Sequence, residues 1–191
     1  MKSRRCALCR KKVPAETAII GSLKAFCCME HLIEFAKSHQ AKRIRQKAVK
    51  KETKQRKEKL KSKSDYQREA QAAFNSYIRE RDKDKGCISC GCSLWSEVIG
   101  GGYDAGHYRS RGSAPHLAFH PLNCHGQCKR CNRYLSGNVT EYRKGLIARY
   151  GEKVVESIES DQTLRHLTVE KLIRIKHLYE RKKKLRKVLT R

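Results

Sequence analysis

Apolar residues recur at spacings of three and four over residues 69–85. Ala70, Ala73, Phe74, Tyr77 and Ile78 fall on one helical face there, and Gly86 supplies a stop. The same period predicts a short helix over 139–150. Thr140 would cap it, Tyr142, Leu146, Ile147 and Tyr150 would line one face, and Gly151 would end it. A third helical pattern runs through 165–191, with Val169, Leu172, Ile173, Leu178 and Tyr179 apolar and Arg181, Lys182, Lys183, Lys184, Arg186 and Lys187 following. It reads as a packing helix with a basic, exposed end; a helix lying on a membrane surface is the alternative.

Between residues 37 and 68 the apolar pattern stops. Fourteen Lys and Arg stand against Glu52, Glu58 and Asp65, with no Pro or Gly. This predicts a solvated helix or a disordered basic linker that orders on phosphates. The resulting organisation is 1–36, 37–68, 69–150 and 151–191, without an internal repeat.

Charge narrows the function. The chain has 191 residues, 45 Lys and Arg against 19 Asp and Glu, and a formal charge of +26. Only 38% of residues are hydrophobic and 7% aromatic, which excludes an enzyme built on one large apolar core. A polyanion is the expected partner, and nucleic acid, with its phosphates and counterions, is the expected polyanion. A basic protein that binds ribosomes or acidic lipid without chemistry is the plainer reading. No run approaches eighteen apolar residues, so no membrane span is expected. No apolar segment follows the basic start, so no export signal is expected, and the setting is cytoplasmic.

Ten cysteines in such a chain point to metal through their spacing. Cys6 and Cys9 form one CxxC pair. Cys27 and His31, four apart, would share one face of a helical turn, giving a three-Cys, one-His zinc site; Cys28 is the rival of Cys27. Cys87 and Cys90 form a second pair and Cys128 and Cys131 a third, which together predict a second zinc site. Cys92 is the rival of Cys90, and Cys92 and Cys124 otherwise read as ordinary thiols.

The segment pinned between the last two pairs is longer than a zinc ribbon needs, and it is rich in His, Asn and Asp. Oxygen and imidazole donors of that kind suit a harder ion, Mg²⁺ or Mn²⁺. Phosphodiester hydrolysis needs a proton acceptor for an in-line water and a cation on the leaving oxygen. His107 is the acceptor that titrates nearest neutrality. Asp104 and Asn132 offer oxygens to the cation. His125 could add a ligand or hold the scissile phosphate. Arg109, Arg111, Lys129 and Arg130 are candidate DNA contacts, whereas His116 and His120 fall in a loop expected to be mobile and exposed.

Three runs carry a family resemblance: Cys87-Ile88-Ser89-Cys90-Gly91, Asp104-Ala105-Gly106-His107-Tyr108-Arg109, and Gln127-Cys128-Lys129-Arg130-Cys131-Asn132 followed by Ser136-Gly137-Asn138. They resemble the NinG/Rap recombination proteins of lambdoid phages, within the HNH (ββα-metal) nucleases. The layout of an N-terminal zinc knuckle, a Lys-rich connector and a helical tail is similar as well.

The resemblance implies a small α+β, zinc-stabilised fold with a ββα-metal core. His107 would end the first strand, the second would lie before Asn123, and a helix from about Cys128 would cross beneath. It also implies Asn123 as the middle Asn that steadies loop and base, and structure-directed cleavage of branched DNA such as a Holliday junction. Two positions depart from the general pattern. Gly106 stands where a metal-binding Asp or His is usual, so Asp104 would have to reach in from further back. Asn132 stands at the final His, which argues for a hard ion over catalytic zinc. A two-fold dimer through Tyr142, Leu146 and Tyr150 or the C-terminal helix would suit paired nicks. The rival reading is a non-catalytic zinc-finger nucleic-acid-binding protein.

Overall fold

The computed structural model describes residues 2–21, 24–94 and 102–189. The chain divides into two compact units, Met1–Lys61 and Ser62–Arg191.

The first unit is two small antiparallel hairpins and two helices. Strand β1 (Ser3–Arg5) pairs with β2 (Lys12–Pro14), and β3 (Ile19–Gly21) with β4 (Lys24–Phe26). Helix α1 (Met29–Lys37) follows and Ser38 separates it from α2 (His39–Lys59). Ser38 makes that break because its hydroxyl accepts from the Ala41 N–H at 3.2 Å, capping the new helix. The core is small: Cys6, Val13, Phe26, Phe35 and Ala41, with the Phe26 and Phe35 rings 5.4 Å apart. Ala41 is the buried residue of α2, so the basic stretch is a helix whose remaining length is solvated. A core of this size is ordinarily completed by a metal.

In the second unit, α3 (Lys63–Asp82) starts earlier than its apolar face suggested. The Asp65 N–H donates to Ser62 Oγ and the Ser62 N–H donates to Asp65 Oδ2, a reciprocal capping box. Helix α6 (Val169–Leu189) packs along α3. Phe74 and Tyr179 meet edge-on between them, ring centres 4.8 Å apart.

Across the end of α3 lies one antiparallel hairpin, β5 (Tyr103–His107) with β6 (Cys124–Cys128). Its register places Asp104 opposite Gln127, Gly106 opposite His125 and His107 opposite Cys124. The second strand therefore follows Asn123, where the sequence had placed it before. The loop holding His116 and His120 was expected to be mobile and exposed. It instead contains two one-turn 3-10 helices, Pro115–Leu117 and Pro121–Asn123, because Ala114 and Leu117 bury against Ile158. His116, in the first, and His120, just before the second, are half-buried.

After β6 comes a single π-helical turn, Arg130–Tyr134, in place of a helix running on from Cys128. A tight turn follows in which Ser136, Gly137 and Asn138 have φ of 48°, 89° and 43°. That left-handed path is what the Ser-Gly-Asn run encodes. It leads into α4 (Val139–Tyr150), with Asn138 at the cap position expected of Thr140, and then α5 (Glu152–Ser160). Tyr142 and Leu146 are interior, packed with Ile88 and Val155, so they are not a dimer surface. Among the described residues no helix is long and apolar enough to cross a membrane.

Candidate active site and metal centres

Two clusters of metal-ligating side chains occur among the described residues: Cys6, Cys9, Cys27 and His31, and Cys87, Cys90, Cys128 and Cys131. Within each, the ligand atoms lie within 4.8 Å of one another. A tetrahedral ion with Zn–S bonds of about 2.3 Å sets its sulfurs roughly 3.8 Å apart. The observed separations fit: 3.6 Å for Cys9–Cys27 and 3.7 Å for Cys90–Cys128. Disulfide sulfurs would be about 2 Å apart. Both clusters could therefore hold Zn²⁺.

Helical spacing is not what brings Cys27 to His31. Helix α1 begins at Met29, so Cys27 comes from the bend just after β4 and His31 from the first turn of α1. Cys28 occupies the cap position between, its sulfur 3.9 Å from that of Cys27. Each cluster also contains a thiol inclined to ionise. Desolvation opposes ionisation of Cys6, but the N–H groups of Cys9, Cys27 and Leu8 outweigh it and lower the thiol to about 5. For Cys90, desolvation is likewise outweighed by the Cys92 N–H and the neighbouring thiols, giving about 6. A thiolate at neutral pH is the form that binds zinc. The Cys92 sulfur sits 3.4 Å from Cys90, outside the four-residue set, and Cys124 is a buried thiol on β6 with no place in either cluster.

The hairpin builds a different site. His107, at the end of β5, has Nε2 3.0 Å from the Ala118 carbonyl. A carbonyl only accepts, so Nε2 carries the proton and Nδ1 keeps its lone pair. The Cys124 sulfur lies 3.7 Å from Nδ1. Desolvation lowers the His107 pKa, the Ala118 carbonyl partly offsets this, and Arg111 adds to the lowering. The imidazole is thus neutral at neutral pH. It opens on a cleft of about 450 Å³ lined also by Asn75, Ala105, Ser110, Arg111 and Asn132.

Asp104 and His107 are three residues apart on a strand, so they face opposite sides of β5. Asn132 connects those sides. Its Nδ2 donates to Asp104 Oδ2 at 3.0 Å, while its side chain lines the cleft beside His107. The Arg133 Nε also donates to Asp104 Oδ2, at 2.7 Å. Burial opposes ionisation of Asp104, but Arg133 and Asn132 outweigh it and hold the carboxyl below its usual range.

Asn123 is fully enclosed. Its Oδ1 accepts the Arg109 N–H at 2.8 Å, and its Nδ2 donates to the carbonyls of Arg109 and Leu117 at 3.0 and 3.3 Å. It ties down the loop that follows His107 and does not reach the cleft.

Two candidate DNA contacts are already spent elsewhere. The Arg109 guanidinium donates to the carbonyls of Ile158, Glu159 and Asp161, at the C-terminal end of α5. His125 is buried, its ring nitrogens 3.2 and 3.0 Å from the hydroxyls of Tyr142 and Tyr150. Desolvation, with Arg81 nearby, pushes its pKa down to about 3. It is a neutral core residue, unable to touch a phosphate. Arg111 and Arg130 are exposed and Lys129 is half-buried.

The sequence reading missed what holds this hairpin. Arg81 donates to both oxygens of Asp82 and to the carbonyls of Pro121 and Cys124, and Asp82 accepts the Gly126 N–H at 2.9 Å. It also missed Gln127, buried opposite Asp104. Only the strand register reveals that pairing, since nothing in the local sequence marks it.

The chain matches, over residues 1–188, the model of the family described as Bacteriophage Lambda NinG protein. The chain belongs to the NinG family. Protein ninG of Escherichia phage 933W is 38% identical over 196 residues, covering 95% of this chain and 92% of that protein. Protein ninG of Escherichia phage lambda is 43% identical over 125 residues, covering 65% and 59% respectively. Protein ninG of Salmonella phage P22 is 44% identical over the same extent. No solved structure matches the chain. In NinG terms, the match takes in both cysteine clusters, the hairpin and the cleft.

Proposed function

We propose that this NinG-family chain is a metal-dependent, structure-selective DNA endonuclease of the HNH (ββα-metal) kind. Its substrates are branched intermediates such as four-way junctions, and it acts in phage recombination inside the bacterial host. The observation that carries the reading is the tautomer of His107. A neutral imidazole, whose Nε2 donates to the Ala118 carbonyl and whose Nδ1 keeps the lone pair beside the Cys124 sulfur, lines a cleft with Asn132 and Arg111.

In this reading His107 takes the proton of the attacking water at Nδ1. Arg111, exposed at the cleft, holds a phosphate. Asp104 and Asn132 provide oxygens for a Mg²⁺ or Mn²⁺ ion, whose charge would stabilise the leaving oxygen. Asn123 fixes the loop so that the imidazole keeps its place. Zinc in the two sulfur clusters holds the scaffold. The basic lengths of α2 and α6 supply sequence-independent attraction to phosphates, so binding should fall steeply with salt.

The test is His107→Ala on a four-way junction with Mg²⁺. Binding should persist while cutting is lost. Equal cutting by both proteins removes His107 from the mechanism. Absence of cutting by the wild type with any divalent ion leaves a zinc-dependent nucleic-acid-binding protein.

A further inference from the structure

Gly106 has no side chain, yet the space a side chain would fill is taken. A Cβ there would stand 2.1 Å from Gln127 Oε1 and 3.1 Å from Asn132 Oδ1. Two carbonyl oxygens thus converge beside a residue of β5 that has no side chain to offer as a ligand.

The Gln127 amide cannot be turned round. Its Nε2 donates to the Gly137 carbonyl at 2.6 Å and to Ser89 Oγ at 2.8 Å, and the Gly137 carbonyl only accepts. Oε1 must therefore point towards Gly106. It is buried and receives no hydrogen bond from any described residue. Asn132 is oriented in the same sense. Its Nδ2 is committed to Asp104 Oδ2, which turns Oδ1 towards the same point, and no described residue donates to that oxygen. Acceptor oxygens that converge without a proton between them repel, and a buried one goes unsatisfied. A cation between them removes both penalties. Amide carbonyls and a carboxylate are the donors a hard divalent ion prefers.

We propose, resting on the cleavage reading above, that Gln127 supplies the cation-binding oxygen absent at position 106. Gln127 Oε1 and Asn132 Oδ1 form a site for Mg²⁺ or Mn²⁺ on the flank of the His107 cleft, next to the Asp104 carboxylate, whose two oxygens accept from Arg133. The ligand comes from β6, across the hairpin, in place of the residue before His107. Gly106 is then required, because any side chain there displaces the Gln127 oxygen.

The experiment is a Mn²⁺ titration of the full-length, zinc-loaded chain without DNA, followed by the electron paramagnetic resonance of free Mn²⁺. Zinc content and thermal melting report the fold of each variant. Wild type should bind Mn²⁺. Gln127→Met and Asn132→Ala should bind it at least about tenfold more weakly, and Gln127→Glu about tenfold more tightly. Gly106→Ala should bind as weakly as Gln127→Met, since the added methyl would stand 2.1 Å from Gln127 Oε1 and 3.1 Å from Asn132 Oδ1 and push both oxygens aside. If Gln127→Met fails to retain zinc, Gly106→Ala and Gln127→Glu decide. Equal Mn²⁺ affinity in wild type, Gly106→Ala and Gln127→Glu, or no Mn²⁺ binding by wild type, overturns the site. A wild type that cuts junctions with Mn²⁺ affinity indifferent to positions 106 and 127 refutes this site and keeps the nuclease. Weakened Mn²⁺ binding in the variants of a chain that never cuts keeps the site and removes the nuclease.

Discussion

The Nε2 atom of His107 donates to the carbonyl of Ala118 across 3.0 Å, and this contact decides which nitrogen is basic. The pH dependence follows. In the proposed mechanism the reactive form is the neutral ring, and desolvation holds its pKa below the ordinary 6.5. Cleavage should be flat at and above neutrality and fall as pH drops through a midpoint below 6.5. Single-turnover rates on a junction at constant ionic strength check this. A midpoint above 6.5 would mean that His107 is not the group titrating.

Two neighbouring arginines should separate cleanly. Arg109→Ala removes three hydrogen bonds to the end of α5 and should lower stability by about 1–3 kcal/mol. Arg111→Ala touches only the exposed rim and should change stability by no more than about 0.5 kcal/mol, while reducing cutting. Urea melts and cleavage rates on the same two proteins make the comparison.

Asp82 is fully buried and holds both Arg81 and the Gly126 N–H. Asp82→Ala leaves a buried guanidinium without its anion and a strand N–H without an acceptor. The expected loss is about 3–5 kcal/mol, read by chemical denaturation.

His125 makes stability depend on pH. Its folded value is about 3, against 6.5 when exposed, so the unfolded chain binds the extra proton between those values. The contribution is complete above 6.5 and is lost as pH falls, at about 1.4 kcal/mol per unit. Wild type and His125→Phe should therefore converge in stability between pH 7 and 5, because only the wild type carries this dependence. A constant gap would show that His125 titrates in the fold as it does in the unfolded chain.

Zinc should be present at two per chain, one for each four-ligand cluster. Cys9→Ser and Cys128→Ser should each reduce the content to one, measured by atomic absorption after dialysis.

Much of this was legible in the chain itself. The helical faces of α3, α4 and α6 follow from apolar spacing, and six of the eight residues that could ligate metal follow from CxxC pairs, because both signals are local; Cys27 and His31 follow from their spacing of four. What escaped the sequence is non-local. Arg109 and Arg111 look alike in one dimension, and only the position of α5 distinguishes them. His125 reads as a free imidazole until Tyr142 and Tyr150 close over it. The second strand was misplaced because β6 carries Cys124, His125, Gly126, Gln127 and Cys128, a string without apolar alternation. Its burial on both faces comes from α3 on one side and α4 on the other.

Cys131 and Asn132 are adjacent, so the sulfur that completes the second cluster and the amide that edges the cleft are joined by one peptide bond. Withdrawing zinc would release that turn and carry the amide away from the imidazole. A selective chelator should therefore silence cutting even in excess Mg²⁺. On the proposed cleavage reading, host zinc supply would then act as a master valve over cutting, separate from the hard ion at the cleft.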